Sequence, residues 1–288
     1  MKFRFFLLMA ICALFISCQK ENTVNPQPPP PGVPASPDST FLRQFIGYDG
    51  STSTEIENQK FEYDEYLRLK SITSWKRIKN IVTSQYEKNV DTILFFYTGP
   101  KVTMQVTYRK IYDMSNTLLK KFETRRTYIY NMSGDIMSDT TKTVGYSTQY
   151  RDFVYLSPNE INVSYNSGST HYEDHYILNY SSGNNVIEYL NGIKVLEGKF
   201  DDKHNPFNKL RPVYTFFDAN QYSSNSLMYF GPMQSNIITQ KLYSLSTFNL
   251  TYAVSCNYTY RNDGFPLTVN ETYTVPLNFQ VNGKFIYY

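Results

Sequence analysis

The chain has 288 residues, with 28 Lys and Arg against 25 Asp and Glu, 20 Phe, 27 Tyr, 3 Cys and 3 His. The near-balanced charge argues against a nucleic-acid binder, and a mean hydropathy of −0.45 excludes a multi-span helical membrane protein. Aromatic residues at 17% supply ample material for a core, which excludes disorder throughout.

Residues 1–17 read as a lipoprotein signal peptide. Lys2 and Arg4 form a positive start, and Phe5 to Ile16 is an apolar run of 12 residues. A membrane-spanning helix needs about 20 apolar residues, so this run is too short to span. It ends in Phe15-Ile16-Ser17-Cys18, which resembles a bacterial lipobox with Cys18 as the lipidated residue. Cys12 lies inside the segment removed, so Cys256 alone remains in the mature body and no intramolecular disulfide can form. Cys256 sits in the alternation Tyr252-Val254-Cys256-Tyr258 and reads as a buried small hydrophobe rather than a nucleophile. Residues 18–40 form the anchor and a tether holding Pro26, Pro28 to Pro31, Pro34 and Pro37. Polyproline II rises about 3.1 Å per residue, so this tether can reach roughly 60–70 Å.

Residues 41–288 read as a single β-rich domain. Val102-Met104-Val106-Tyr108, interleaved with Thr103, Gln105, Thr107 and Arg109, predicts a half-buried strand with one wet face. Ile161-Val163-Tyr165 and Tyr176-Leu178-Tyr180 repeat the alternation. Asn191-Gly192, between Val186–Leu190 and Ile193–Leu196, predicts a two-residue hairpin, since both residues tolerate positive φ. Asn282-Gly283 predicts a second hairpin, folding Phe279–Val281 onto Lys284–Ile286. Gly99-Pro100 and Asp263-Gly264 mark further turns. Alternation is lost over 207–236, which predicts a short helix or a long loop there. The fold class expected is all-β, an antiparallel meander of hairpins in an open sheet curling toward a barrel.

A motif recurs along this body. Phe61-Glu62-Tyr63-Asp64 precedes Leu67 and Leu69, Tyr128-Ile129-Tyr130-Asn131 precedes Gly134 and Ile136, and Tyr258-Thr259-Tyr260-Arg261 precedes Gly264 and Leu267. Each is aromatic-x-aromatic, a polar turn, then an aliphatic restart; a weaker copy runs from Tyr176 to Val186. Aromatics at i and i+2 share a strand face, and the turn brings the chain back antiparallel. These units resemble degenerate tyrosine–aspartate hairpin repeats of secreted bacterial proteins. Together with the lipobox, the tether and the closing Gly283-Lys284-Phe285-Ile286-Tyr287-Tyr288, they resemble a Bacteroidota lipoprotein family of unknown function with a porin-like fold. Gln19-Lys20-Glu21 is similar to the export tags of Bacteroidota surface lipoproteins, Phe200–Phe207 to a segment of that family, and Asn236-Ile237-Ile238-Thr239 to its Asn-Ile-Thr step with one residue inserted. The resemblance implies an outer-membrane or surface location and a barrel-like meander. It implies no activity.

No dinucleotide fingerprint, phosphate loop, nucleophile elbow, zinc-protease helix or Cys pair is present, and no cofactor is implied. His171, Glu173 and His175 share a strand face, but His171 and His175 would stand roughly 13 Å apart along it, too far for one ion. His204 beside Asp201 and Asp202 reads as turn polarity. Glu55, Glu57, Glu62 and Asp64 are candidates for a glycosidase pair, which needs a separation that spacing alone does not show. Trp75, between Ser74 and the cations Lys76 and Arg77, is a candidate contact residue or a ring covered by one of them. The function expected is a cell-envelope lipoprotein carrying a non-catalytic binding module for a glycan or an envelope partner. The alternative is a polysaccharide hydrolase with an unrecognised carboxylate pair.

Overall fold

Sixteen antiparallel strands follow one another around a closed barrel in the computed structural model. It describes residues 40–288 apart from 80–82, 84, 158, 182–184, 207–235, 245, 248 and 276–277. The signal segment, Cys18, nearly all of the tether and residues 207–235 therefore lie outside the described residues. The first eight strands are β1 (Leu42–Asp49), β2 (Glu55–Tyr63), β3 (Leu69–Lys79), β4 (Tyr86–Thr98), β5 (Lys101–Asp113), β6 (Leu118–Tyr130), β7 (Ile136–Thr143) and β8 (Gln149–Ser157). The rest are β9 (Glu160–Ser167), β10 (Thr170–Ser181), β11 (Asn185–Leu190), β12 (Ile193–Phe200), β13 (Ile237–Tyr243), β14 (Leu250–Tyr260), β15 (Pro266–Val275) and β16 (Phe279–Tyr287). No helix occurs among the described residues.

The sheet does not stay open. β1 pairs with β16 from Leu42–Tyr287 to Asp49–Val281, which removes both edges and their unpaired backbone groups. The expected turn at Asn282-Gly283 is also overturned, because both residues lie inside β16. Gly283 faces the interior, where a Cβ would meet the Phe45 ring at 2.6 Å. The glycine is there for close packing, not for a turn. Asn191-Gly192 does turn the chain between β11 and β12, with φ of 51° and 79°. Asn191 Oδ1 also accepts the His175 N–H at 2.7 Å, tying this hairpin to β10.

Alternation decides what faces inward. Phe45, Phe61, Phe95, Phe153, Tyr176, Val254 and Phe285 belong to one buried cluster that fills much of the barrel. The outer wall of β14–β16 presents Ser255, Asn257, Thr259, Thr268, Asn270, Gln280 and Lys284, all exposed. A lipid-facing barrel shows the opposite pattern, apolar outside and polar within. The exception is the outer wall of β4 to β8, where Phe96, Ile129, Met137, Val154 and Leu156 are exposed.

The recurrent aromatic-x-Tyr has a structural reason. It ends even-numbered strands: Phe61-x-Tyr63 on β2, Phe95-x-Tyr97 on β4, Tyr128-x-Tyr130 on β6 and Phe285-x-Tyr287 on β16. The first aromatic enters the core, and the terminal Tyr donates its hydroxyl to the start of the preceding strand. Tyr63 reaches Leu42 O at 3.0 Å, Tyr97 reaches Leu69 O at 2.8 Å, Tyr130 reaches Val102 O at 2.7 Å and Tyr287 reaches Pro266 O at 2.8 Å. In the first three a bulge directly precedes the Tyr and bends the strand over the barrel end. The polar residue that follows closes the turn; Asp64, for example, accepts the N–H groups of Tyr66 and Arg68, each at 2.9 Å. One end of the barrel thus carries a ring of tyrosine latches. A buried hydrogen bond contributes about 1 kcal/mol, so Tyr97→Phe should lower unfolding free energy by roughly that amount. Urea titration of Tyr97→Phe beside the exposed Tyr108→Phe measures it, and equal midpoints for the two would dismiss the latch.

Candidate functional site

The opposite end of the barrel holds a polar cavity of about 400 Å³. Its lining comes from the inner faces of β5 to β8 and the turn before β8: Gln105, Thr107 and Arg109 on β5, Phe122, Thr124 and Arg126 on β6, Thr141 and Thr143 on β7, then Tyr146, Ser147 and Gln149. Arg126 and Thr141 form the floor, at 6% and 8% exposure, whereas Tyr146 at the mouth is 65% exposed. The Arg126 Nε–H donates to Thr141 Oγ1 at 3.0 Å. Gln105 donates to Thr107 Oγ1 at 3.2 Å and accepts from Tyr128 O–H at 3.1 Å. The Thr124 and Thr143 hydroxyls meet at 2.9 Å. Arg109 is held by Asp91 through two parallel bonds of 2.8 Å each. At the rim the Phe122 and Tyr146 rings lie 6.2 Å apart, tilted by 46°.

Sequence reasoning missed this site for a definable reason. It placed Val102, Met104, Val106 and Tyr108 together on the face that packs. A bulge where Phe96 and Tyr97 oppose Met104 and Val102 shifts the register by one residue. Val102 points inward and is fully buried, but from Met104 onward the faces exchange, so Gln105, Thr107 and Arg109 turn in and Tyr108 turns out. The signal that was available is the row of Thr and Arg at alternate positions on β6 and β7, Phe122-Thr124-Arg126 and Thr141-Thr143.

The residues singled out from sequence fall elsewhere. His171, Glu173 and His175 do share the outer face of β10, each with its own partner across β9. His171 Nδ1 lies 2.7 Å from Asn166 Oδ1, Glu173 accepts from Ser164 at 3.4 Å, and His175 Nε2 lies 2.8 Å from Glu160 Oε1. Among the described residues no three His, Cys, Asp or Glu side chains converge as metal ligands do. His204 packs on Phe265 at 5.0 Å between ring centroids, and its carbonyl accepts from Asn236 Nδ2 at 3.0 Å. Asp201 accepts the Asn236 N–H at 2.9 Å and the Tyr260 hydroxyl, so the Phe200–Phe207 segment fastens β12, β13 and β14 together. Asp202 is an exposed partner of Lys203. Trp75 faces outward under Lys88, 5.2 Å from its ring, while Lys76 turns inward and Arg77 covers Tyr86. Cys256 is buried on the inner face of β14, and desolvation pushes its thiol pKa well up.

The carboxylates scatter. Glu55 accepts from Asn58, Glu62 from Ser71, and Asp64 pairs with Arg68. Only Glu57 points into the barrel, 3.3 Å from Lys76, and it approaches a carboxylate that spacing did not reveal, Glu271. Glu271 is 4% exposed and accepts from the Tyr273 hydroxyl; neither it nor Glu57 lines the polar cavity. Burial, with a smaller push from Glu57, raises the Glu271 pKa from 4.5 to about 7, and burial alone brings Glu188 to about 7. The folded chain then keeps two protons that the unfolded chain releases near pH 4.5. Stability present below that pH is lost as pH rises toward 7. Urea midpoints should fall between pH 5 and pH 8, and Glu271→Gln with Glu188→Gln should flatten that slope. An unchanged slope in the double variant would contradict the assignment.

A second hollow, about 430 Å³, lies on the outer wall of β14–β16 and β1, lined by Asn257, Thr259, Thr268, Asn270, Asn282 and Tyr48 among others.

No family model matches the chain, and no curated protein matches it in sequence. Among solved structures, it is similar to a porin-like protein from Bacteroides uniformis, with a TM-score of 0.52 at 13% identity, over 88% of this chain and 99% of that one. A porin-like protein from Bacteroides vulgatus aligns with a TM-score of 0.28 at 12% identity, over 87% of this chain and 99% of that one. The chain shares the antiparallel barrel fold of the first of these proteins.

Proposed function

We propose that this chain is a lipoprotein of the cell envelope, anchored through Cys18, whose barrel is a non-catalytic binding module for a glycan or an envelope partner. One observation carries the reading. The barrel is polar outside and packed inside, latched by tyrosines at one end, and holds a polar cavity opening at the other. A wall rich in Ser, Thr and Asn suits water rather than lipid, and a packed interior suits a receptor rather than an open channel. The lipobox and the proline tether supply an anchor and a reach of tens of ångströms. The porin-like neighbour from Bacteroides supports an envelope setting.

The test has two parts. Mass spectrometry of the mature N-terminus should find diacylglycerol on Cys18, and an unmodified Cys18 would remove the anchor. A glycan array probed with the purified protein should show binding without released product. The interior approach of Glu57 to Glu271 keeps the hydrolase as a second reading. Turnover abolished by Glu57→Gln or Glu271→Gln in a folded protein would establish it and refute the binding module.

A further inference from the structure

We propose that the cavity between β5 and β8 binds an acidic saccharide, with its sugar ring against Phe122 and Tyr146 and its anionic group toward the floor at Arg126. This rests on the binding-module reading and names the site and ligand class. The lining contains two guanidinium groups, Arg109 and Arg126, and no carboxylate. Asp91, the partner of Arg109, is not among the lining residues, so the wall presented to a ligand is electropositive. Arg126 is nine-tenths buried at the closed end, where the low local dielectric strengthens attraction for an anion. A guanidinium fork matches the two oxygens of a carboxylate, a geometry an ammonium group does not offer.

The remaining chemistry is that of a sugar site. Thr107, Thr124, Thr141, Thr143 and Ser147 supply hydroxyls, each both donor and acceptor, and Gln105 adds an amide. Such groups complement a polyol, whose own hydroxyls also act both ways. The tilted Phe122–Tyr146 pair at the rim offers apolar ring faces for the C–H side of a pyranose. About 400 Å³ falls in the range of small-ligand pockets, roughly 300–1,000 Å³. The turn after β7 sets the mouth: Gly145 has φ of 84°, and Tyr146 N–H bonds Thr143 O at 3.0 Å, which brings the Tyr146 ring over the opening. The outer-wall hollow has Lys284 as its one charge, no arginine, and no opposed ring pair, so it matches an acidic sugar less well.

The experiment is calorimetric titration of the purified mature protein at low salt with trigalacturonate and, in parallel, with neutral cellotriose. Trigalacturonate should bind at least tenfold more tightly than cellotriose. Phe122→Ala, Thr124→Val and Arg126→Lys should each weaken it by tenfold or more, while Asn270→Ala on the outer wall should not. Because Arg126 is buried, the rim variants Phe122→Ala and Thr124→Val decide the matter if Arg126→Lys misfolds by circular dichroism. Equal affinity for the two sugars overturns the acidic class. Binding lost in Asn270→Ala but kept in the rim variants overturns the site. No binding of trigalacturonate overturns the proposal, and the binding-module reading falls with it only if the glycan array is blank as well.

Discussion

Gly283→Val is expected to destabilise the barrel by about 3 kcal/mol or to prevent its folding, the upper range for overpacking a closed core. A Cβ at this position would stand 2.6 Å from Phe45 Cε2 and 2.6 Å from Val269 Cγ1. Neither neighbour is the loose end of a flexible chain: Phe45 packs on Phe285 at 5.1 Å, and both belong to the buried cluster. The position also sits at the seam, where Gly283 pairs with Gly47 of β1 and Val269 of β15. Pushing Phe45 aside therefore strains the β1–β16 pairing that closes the ring. Gly192→Ala is the informative comparison. Gly192 has open space around it but φ of 79°, so alanine there meets only backbone strain of about 1–2 kcal/mol. If 283 were the hairpin position that Asn282-Gly283 suggests, alanine and valine there would behave like alanine at 192. Urea midpoints for Gly283→Ala, Gly283→Val and Gly192→Ala separate the cases; a valine variant within 0.5 kcal/mol of native stability would defeat the packing assignment.

That glycine also shows how far the sequence could be read. Alternation over Ile161–Tyr165 and the Asn191-Gly192 turn announce local pairing, and local pairing is what a meander mostly consists of. The aromatic-x-Tyr recurrence announces strand ends, because one ring enters the core while the next reaches the neighbouring backbone. Closure is different. It depends on β1 meeting β16 across more than 230 residues, and no local pattern encodes that contact. Asn-Gly has the same chemistry in a turn and in a crowded strand, so 191–192 and 282–283 look alike until the neighbours are known. The polar cavity was hidden by the bulge opposite Val102, which exchanges the faces of β5 within one residue. It was also hidden by charge: Arg126, Arg151, Asp139 and Glu271 read as surface residues and are all buried.

Breaking the Asp139–Arg151 pair is the other large effect expected. Asp139 on β7 opposes Arg151 on β8 inside the barrel, with side chains 2% and 8% exposed. Arg151 Nε donates to Asp139 Oδ1 at 3.1 Å and Nη2 donates to Oδ2, while the guanidinium lies over Phe153 at 5.3 Å. Two parallel bonds in a dry site satisfy both charges, and removing one member leaves the other buried without its counter-charge. Such losses cost about 3–5 kcal/mol. The location raises the stakes, since β7 and β8 pair only over Ser138–Thr141, a short stretch in the ring. Asp139→Ala should therefore lower stability by several kcal/mol and open the wall beside the polar cavity first. Hydrogen exchange should report this as lost protection in β7 and β8 ahead of β14 to β16. The ion pair itself need not be favourable relative to apolar packing, because desolvating two charges offsets much of their attraction. Asp139→Leu combined with Arg151→Met should then recover most of the stability that Asp139→Ala loses. A double variant no better than the single one would mean that the guanidinium acts through Phe153 and its other contacts, not through Asp139.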